Sequence, residues 1–238
     1  MPSRVALKHP TIPTASRRES IRKALVAFGP LSVLTYVGWA ELAALQWDDY
    51  SRITNAISEL SLTDSPSAGF LQPWEFVAYH VFVIAFGIGV WQSARGNRAL
   101  RVIGTLQVLS GAAFPFWLAF GEASVAAHVV LSTVAILTWF GSLGFGAAAF
   151  GKRFRLYSLI TLAAVLVFNA LAFMYVPAAA AGEAMGIIGL FERIAFSAYF
   201  LWIWVLAVIL WRTPVGNGHN GGQRAARHGA PVLHSGMT

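Results

Sequence analysis

Six runs of apolar residues, each long enough to cross a membrane, constrain this chain more than any other feature. They cover residues 24–46, 74–93, 102–120, 124–150, 156–176 and 194–211. A helix needs about 20 apolar residues to cross the hydrocarbon core of a bilayer, and a chain in lipid must satisfy its backbone hydrogen bonds internally. No segment shows the alternation typical of membrane barrel strands. The pattern predicts an all-α polytopic membrane protein, a bundle of six transmembrane helices.

The composition agrees with a membrane location. Of 238 residues, 57% are hydrophobic and 11% are charged, whereas a soluble domain is about 25% charged. So few polar residues could not cover a water-soluble surface. The absence of cysteine excludes disulfides, thiolate metal sites and cysteine nucleophiles. We assign no cofactor, and no nucleic-acid partner despite the formal charge of +7, because the basic residues lie in short groups beside apolar runs.

The positions of the basic residues predict the orientation of the bundle. Six precede the first apolar run, and three each follow the second, fourth and sixth, so that Arg52 and Arg193 alone lie on the other side. Short basic loops stay in the cytoplasm. We therefore predict a multi-pass protein of the cytoplasmic membrane with both termini cytoplasmic. Residues 1–23 should be a disordered basic arm, 24–212 the transmembrane domain and 213–238 a disordered tail.

Ionisable residues also gather at the predicted outer side. Nine of the ten acidic residues lie there, Glu19 being the exception, and His80 and His128 join them within about 10 Å of the outer helix ends. Below this layer the helices carry no ionisable residue until the inner interface. An ion-coupled transporter usually places such groups near the midplane. The pattern counts against ion-coupled transport and leaves uptake of a neutral solute open.

The longest outer loop, residues 48–62, predicts a short amphipathic helix that lies on the outer mouth of the bundle. Asp49 or Ser51 could cap this helix. Ile53, Ile57 and Leu60 would then form an apolar stripe along one face.

Two short motifs resemble a known membrane family. Residues 55–60 read Asn-Ala-Ile-Ser-Glu-Leu after an Asp-Tyr-Ser, residues 189–194 read Gly-Leu-Phe-Glu-Arg-Ile, and His128 opens the fourth apolar run. Over about residues 25–212 the chain resembles the family called domain of unknown function 998, and more distantly the DRAM-type membrane proteins. The chain has Ser61 where the family pattern would have glycine. The resemblance implies six helices and an important outer layer, and it implies no reaction.

One group of outer residues forms our candidate site for a ligand or a polar network: Asn55, Ser58, Glu59, His80, His128, Glu192 and Arg193. The favoured interpretation is a hydrogen-bonded network that fastens the loop to the bundle. A carboxylate beside a histidine could also perform acid–base chemistry, and two histidines with a carboxylate could hold zinc. We assign no catalytic residue and no metal ligand, and we leave the enzyme question open.

Three functions compete for such a protein. The first is a polar outer vestibule that binds a lipid or small amphiphile. The second is a membrane-embedded, hydrolase-like enzyme that uses the histidines and glutamates. The third is a small-solute transporter or an accessory scaffold subunit. The lipid bilayer is the one partner that the sequence implies, and the oligomeric state stays open.

Overall fold

The structure is a computed structural model that describes residues 14–61, 65–67, 72–120, 125–181, 183 and 186–213. Within them the chain forms eight α-helices, one short 3₁₀ helix at Ile57–Ser61, and no strand. The α-helices are α1 (Thr14–Ala44), α2 (Gln72–Ser93), α3 (Arg98–Ala112), α4 (Phe114–Phe120), α5 (Val125–Ala149), α6 (Lys152–Phe173), α7 (Val176–Ala181) and α8 (Ile188–Arg212).

The helices have the length and hydropathy of membrane spans. Among the described residues, five helical runs are long and apolar enough to cross a bilayer: Arg17–Ala44, Arg98–Trp117, Ala126–Ala149, Lys152–Ala178 and Ile188–Arg212. A shorter apolar helix covers Val77–Ser93. Each predicted apolar run lies on one of these helices. The prediction of an all-α, polytopic membrane protein is confirmed.

The third span is interrupted. Helix α3 ends at Ala112 and α4 begins at Phe114, so that Pro115 lies in the first turn of α4. A proline has no backbone N–H and clashes with the carbonyl four residues earlier, which ends or kinks a helix at that point.

The spans pack as a closed ring. Helix α1 contacts α2, and contacts then run from α2 to α3, α3 to α5, α5 to α6, α6 to α8 and α8 back to α1. Large apolar side chains are exposed around the outside, for example Leu34 (55%), Val130 (61%) and Ile160 (62%). Such an apolar exterior is unfavourable in water and suits lipid.

Aromatic side chains fill the inside of the ring. The ring of Trp139 stacks on that of Tyr199 with centroids 4.4 Å apart, and Trp202 is fully buried. At this level the Gln107 amide donates to the Ser142 hydroxyl at 3.0 Å and to the Tyr199 hydroxyl at 2.7 Å. The middle of the bundle is therefore closed by packed rings and a short polar network.

One buried arginine ties three helices together at one end of the ring. Arg22 of α1 is 3% exposed, and its guanidinium donates to the Ser93 hydroxyl of α2 and to the Leu210 carbonyl of α8 at 3.1 and 2.9 Å. It also forms an ion pair with Glu19 at 2.6 Å. We call this end, which carries the basic loops, the basic end. The opposite end carries the loop between α1 and α2, and we call it the loop end.

These bonds correct the predicted arm. We expected residues 1–23 to be disordered, but α1 begins at Thr14, so residues 14–23 are helical. The prediction was wrong there because Arg22 docks on α2 and α8 and extends the helix beyond its apolar run. Residues 1–13 of the predicted arm and 214–238 of the predicted tail lie outside the described residues.

The closest helix pair predicts a sharp difference between two glycine substitutions. A Cβ atom on Gly104 of α3 would lie 2.7 Å from the carbonyl oxygen of Gly87 in α2, whereas one on Gly144 would meet nothing within 4 Å. Backbone atoms cannot swing aside, and overpacking costs about 1–3 kcal/mol. We expect Gly104→Ala to lower the melting temperature of the detergent-purified protein and Gly144→Ala to leave it unchanged. Equal melting of the two variants would contradict the α2–α3 contact.

Candidate functional site

The loop between α1 and α2 is shaped by its own polar side chains. The Ser51 hydroxyl accepts hydrogen bonds from the N–H groups of Ile53 and Thr54, both at 3.3 Å. The side-chain oxygen of Asn55 accepts from the Ser51 N–H at 3.0 Å. Such local bonds turn the chain and compete with helix formation. The loop consequently folds back over the start of α8.

The predicted amphipathic helix is therefore shorter than expected. Among the described residues of the loop, residues 57–61 alone are helical, as a 3₁₀ helix. The predicted cap Ser51 does accept from the N–H groups of Ile53 and Thr54, as an N-cap does, but the chain forms a single turn there and not a helix. The predicted stripe is right for Ile57 and Leu60, which are 5% and 0% exposed. It is wrong for Ile53, which is 54% exposed.

Arg193, one turn into α8, is the main anchor of the loop. Its Nη1 donates to the carbonyl oxygens of Arg52 (3.0 Å), Asn55 (3.3 Å) and Gly189 (3.1 Å). Its Nη2 donates to the Tyr50 hydroxyl at 2.8 Å. One guanidinium thus connects three backbone carbonyls and a phenol, because its donors point outward in a fixed plane.

Tyr50 connects Arg193 to the next part of the loop. It is 8% exposed, and its hydroxyl donates to the Ala56 carbonyl at 2.9 Å. Burial raises the pKa of Tyr50, while the hydrogen bond from Arg193 opposes that shift. The hydroxyl therefore stays protonated at neutral pH and can both accept from Arg193 and donate to Ala56.

Two glutamates hold the amides at the start of the 3₁₀ helix. The carboxylate of Glu59 accepts from the Asn55 side-chain amide at 2.7 Å and from the Ala56 N–H at 2.8 Å. The Oε2 atom of Glu192 in α8 accepts from the Ile57 N–H at 2.7 Å. Each carboxylate satisfies a helix-start amide that has no partner within its own helix.

Gly189 allows the backbone of α8 to contact the backbone of the loop. A Cβ atom on Gly189 would collide with the carbonyl oxygen of Asn55 and lie 2.8 Å from that of Arg52. Beside it, the Leu190 N–H donates to the Ile53 carbonyl at 3.1 Å. We call this assembly of loop residues 50–59 with Gly189, Glu192 and Arg193 the loop latch.

The structure brings together only part of the predicted site. Asn55, Glu59, Glu192 and Arg193 meet in the loop latch. Ser58 lies in the 3₁₀ helix, and its carbonyl accepts from the Ser61 hydroxyl at 2.8 Å.

The two predicted histidines lie in other contacts. His80 is 7% exposed in α2, with its ring 4.9 Å from that of Tyr79. The His128 ring in α5 lies 5.2 Å from that of Trp117 in α4. Across the described part of the chain, no three His, Asp or Glu side chains are grouped so that they could hold a metal ion. The zinc alternative therefore gains no support from the described geometry.

Two tyrosines that were not predicted as site residues lie near the predicted Glu192, just below the rest of the latch. Tyr36 of α1 lies 5.1 Å from Tyr79 of α2, ring to ring, and within electrostatic reach of Glu192 and Arg193. Neither tyrosine hydroxyl bonds to a described residue, and among those residues Glu192 Oε1 has no partner either. We call Tyr36, Tyr79 and Glu192 the tyrosine layer. Tyrosines in apolar runs usually indicate a membrane interface, so the sequence did not single these out.

A ring of apolar helices with a latched loop at one end defines a polytopic helical membrane protein. A family model described as "Protein of unknown function (DUF998)" matches residues 30–210. The chain belongs to this family, which confirms the family prediction. No curated protein and no solved structure matches the chain. The similarity to DRAM-type proteins stays a prediction.

The geometry of Arg193 predicts that lysine cannot replace it. A lysine ammonium is a compact charge and cannot span three carbonyls and a hydroxyl, and each hydrogen bond to a charged group is worth about 1.5–3 kcal/mol. We expect Arg193→Lys to speed hydrogen exchange of the amides in residues 50–59 by at least tenfold.

Arg52→Lys is the matched control for this substitution. Arg52 pairs with Glu41 at 2.6 Å, but the two side chains are 46% and 48% exposed. Exposed pairs contribute about 1 kcal/mol or less, so exchange in the loop should stay close to that of the wild type. The loop latch would be contradicted if Arg193→Lys and Arg52→Lys behaved alike.

Proposed function

We propose that this protein binds a lipid or small amphiphile in the loop-end half of the bundle. The polar group of the ligand would lie in the tyrosine layer, under the loop latch. Its apolar part would lie against the aromatic interior or extend into the bilayer. We also propose that the loop end faces away from the cytoplasm, because the basic residues gather at the other end.

The observation that carries this proposal is the set of open polar atoms in the tyrosine layer. Two hydroxyls and one carboxylate oxygen, on three helices, form no hydrogen bond to a described residue. Tyr36, Tyr79 and Glu192 are each partly exposed, and among the described residues the fully buried side-chain atom without a partner is the Tyr157 hydroxyl. The three atoms are therefore accessible, and a bound molecule that donates to Glu192 and exchanges hydrogen bonds with Tyr36 and Tyr79 would satisfy all of them.

The chemistry of these atoms restricts the ligand. A carboxylate only accepts hydrogen bonds, whereas phenols both donate and accept. The polar group should therefore carry a hydroxyl, amine or amide N–H. The aromatic wall of Phe196 and Trp139, whose centroids lie 4.8 Å apart, favours an apolar body beside that group.

The other two functions receive less support. Acid–base catalysis would need a histidine near the latch carboxylates, and the described contacts of His80 and His128 are to the rings of Tyr79 and Trp117. Transport would need a path past the bonded Gln107, Ser142 and Tyr199 in the middle of the bundle. An accessory scaffold function makes no use of the tyrosine layer.

Thermal shift with a panel of lipids and amphiphiles tests the proposal. We expect at least one hydroxyl- or amine-bearing amphiphile to stabilise the detergent-purified protein. Tyr36→Phe or Glu192→Gln should weaken its binding about tenfold, the loss of one good hydrogen bond. In Glu192→Gln the amide oxygen can still accept from Ile57, so the latch is kept.

Tyr157→Phe provides the control. Tyr157 lies near the start of α6, and its hydroxyl has no hydrogen-bond partner among the described residues. Its removal should leave ligand binding unchanged. A ligand that stabilises all four proteins equally would place binding elsewhere. A panel without any ligand, together with a partner protein that co-purifies in fixed ratio, would favour the scaffold function.

A further inference from the structure

Two basic turns lie at the basic end of the bundle. The turn between α2 and α3 and the first residues of α3 carry Arg95, Arg98 and Arg101, and the first turn of α6 carries Lys152, Arg153 and Arg155. All six residues are exposed. Neither turn contains an acidic residue.

Hydrogen bonds hold these two turns side by side at the end of α5. The side chain of Asn97 caps α3 by accepting from the Leu100 N–H and donates across to the Ala149 carbonyl at 2.8 Å. Arg155 approaches from the other turn, with its Nε donating to the Ala147 carbonyl at 3.1 Å. Asn97, which lies among the cations of one turn, and Arg155 of the other turn thus bond to carbonyls that lie only two residues apart in α5. We call these six residues, together with Asn97, the basic seam.

The seam concentrates positive charge, and neither of its two turns contributes an acidic residue. The basic residues lie at the starts of α3 and α6, where the helix dipoles are also positive and acidic residues are preferred. The nearby Arg22 is paired with Glu19. A small cavity of about 50 Å³ reaches from the seam to Arg22, lined by Arg95 and Phe150. Membrane topology explains why basic residues lie at this end of the bundle. It does not require that hydrogen bonds hold the two basic turns next to each other.

Apolar surface adjoins the same charges. Trp91, one turn before Arg95, is 55% exposed, and Leu156, next to Arg155, is 61% exposed. A soluble anion would satisfy the charges alone, whereas a phospholipid would satisfy the charges with its phosphate and the apolar side chains with its acyl chains.

We propose that the basic seam binds the headgroup of an anionic phospholipid in the leaflet at the basic end. The phosphodiester lies between the arginines of α3 and Arg155 of α6, and the acyl chains run along the outside of the bundle. This lipid would hold the two hairpins together at their turns. The site is separate from the tyrosine layer at the other end, so that either proposal can fail alone.

Lipid retention measured by native mass spectrometry tests this site. The full chain is purified in mild detergent, and phosphatidylglycerol or phosphatidylcholine is added. We expect preferential retention of phosphatidylglycerol. The double variant Arg98→Gln with Arg155→Gln, one residue from each side of the seam, should retain it about thirtyfold less, because each basic residue near an anionic lipid contributes about fivefold.

The control variant removes the same charge elsewhere at the same end. Arg17 and Arg18 are exposed in the first turns of α1, and Arg17→Gln with Arg18→Gln should retain phosphatidylglycerol like the wild type. Equal loss in both double variants would show unspecific charge attraction, and no loss in either would exclude the seam; both outcomes overturn the proposal.

Two further measurements keep the test decisive. If inorganic phosphate raises the melting temperature as much as the lipid does, the assignment to a phospholipid is wrong. If the seam double variant does not fold, the single variant Arg98→Gln replaces it. Its expected loss is about fivefold, and wild-type retention would contradict the site.

Discussion

The guanidinium of Arg193 is the interaction on which the loop end of this protein depends. Loop residues 50–59 cross the end of the helix bundle, which brings many backbone carbonyls away from water. Arg193 gives two of these carbonyls and that of Gly189 in α8 a donor, and it adds a bond to Tyr50. Glu59 and Glu192 serve the amides of the same stretch, so donors and acceptors of the loop are both satisfied.

A second arginine, Arg22, joins helices through hydrogen bonds at the opposite end. Arg22 lies at the basic end, and it too bonds to a backbone carbonyl of α8. Inside or near lipid, little water is available to satisfy helix ends, and arginine offers five donors in one rigid group. An arginine thus anchors each end of the ring: Arg22 is buried, and Arg193 is partly exposed. Aromatic packing and one short polar network fill the middle. The tyrosine layer differs from both ends, because three of its polar atoms form no hydrogen bond to a described residue.

The fold was predictable because it follows from local properties. The length and hydropathy of each apolar run determine where a membrane helix lies, and every predicted run overlaps an apolar helix of the structure. The extension of α1 to Thr14 was not predictable in this way, because Arg22 bonds to residues 71 and 188 positions further along the chain.

The depth of a residue along a membrane helix can be predicted from sequence, but the rotation of the helix about its axis cannot. Sequence alone therefore could not decide which neighbours His80 and His128 contact. Several latch residues were predicted because two short motifs stood out. Tyr50 and Gly189 lie in the same motifs, but they were given no role, because they act through one hydroxyl and a missing Cβ.

The most direct test of the loop latch uses the absence of cysteine from the chain. Ile53 and Leu190 are joined by a backbone hydrogen bond of 3.1 Å, and both side chains are exposed. The variant with Ile53→Cys and Leu190→Cys therefore places its only two thiols side by side. In membranes under mild oxidation, we expect an intramolecular disulfide to form rapidly, and to form more slowly when Arg193→Lys is added. Two thiols that stay reduced, and that a membrane-impermeant maleimide labels independently, would mean that the loop does not lie over α8.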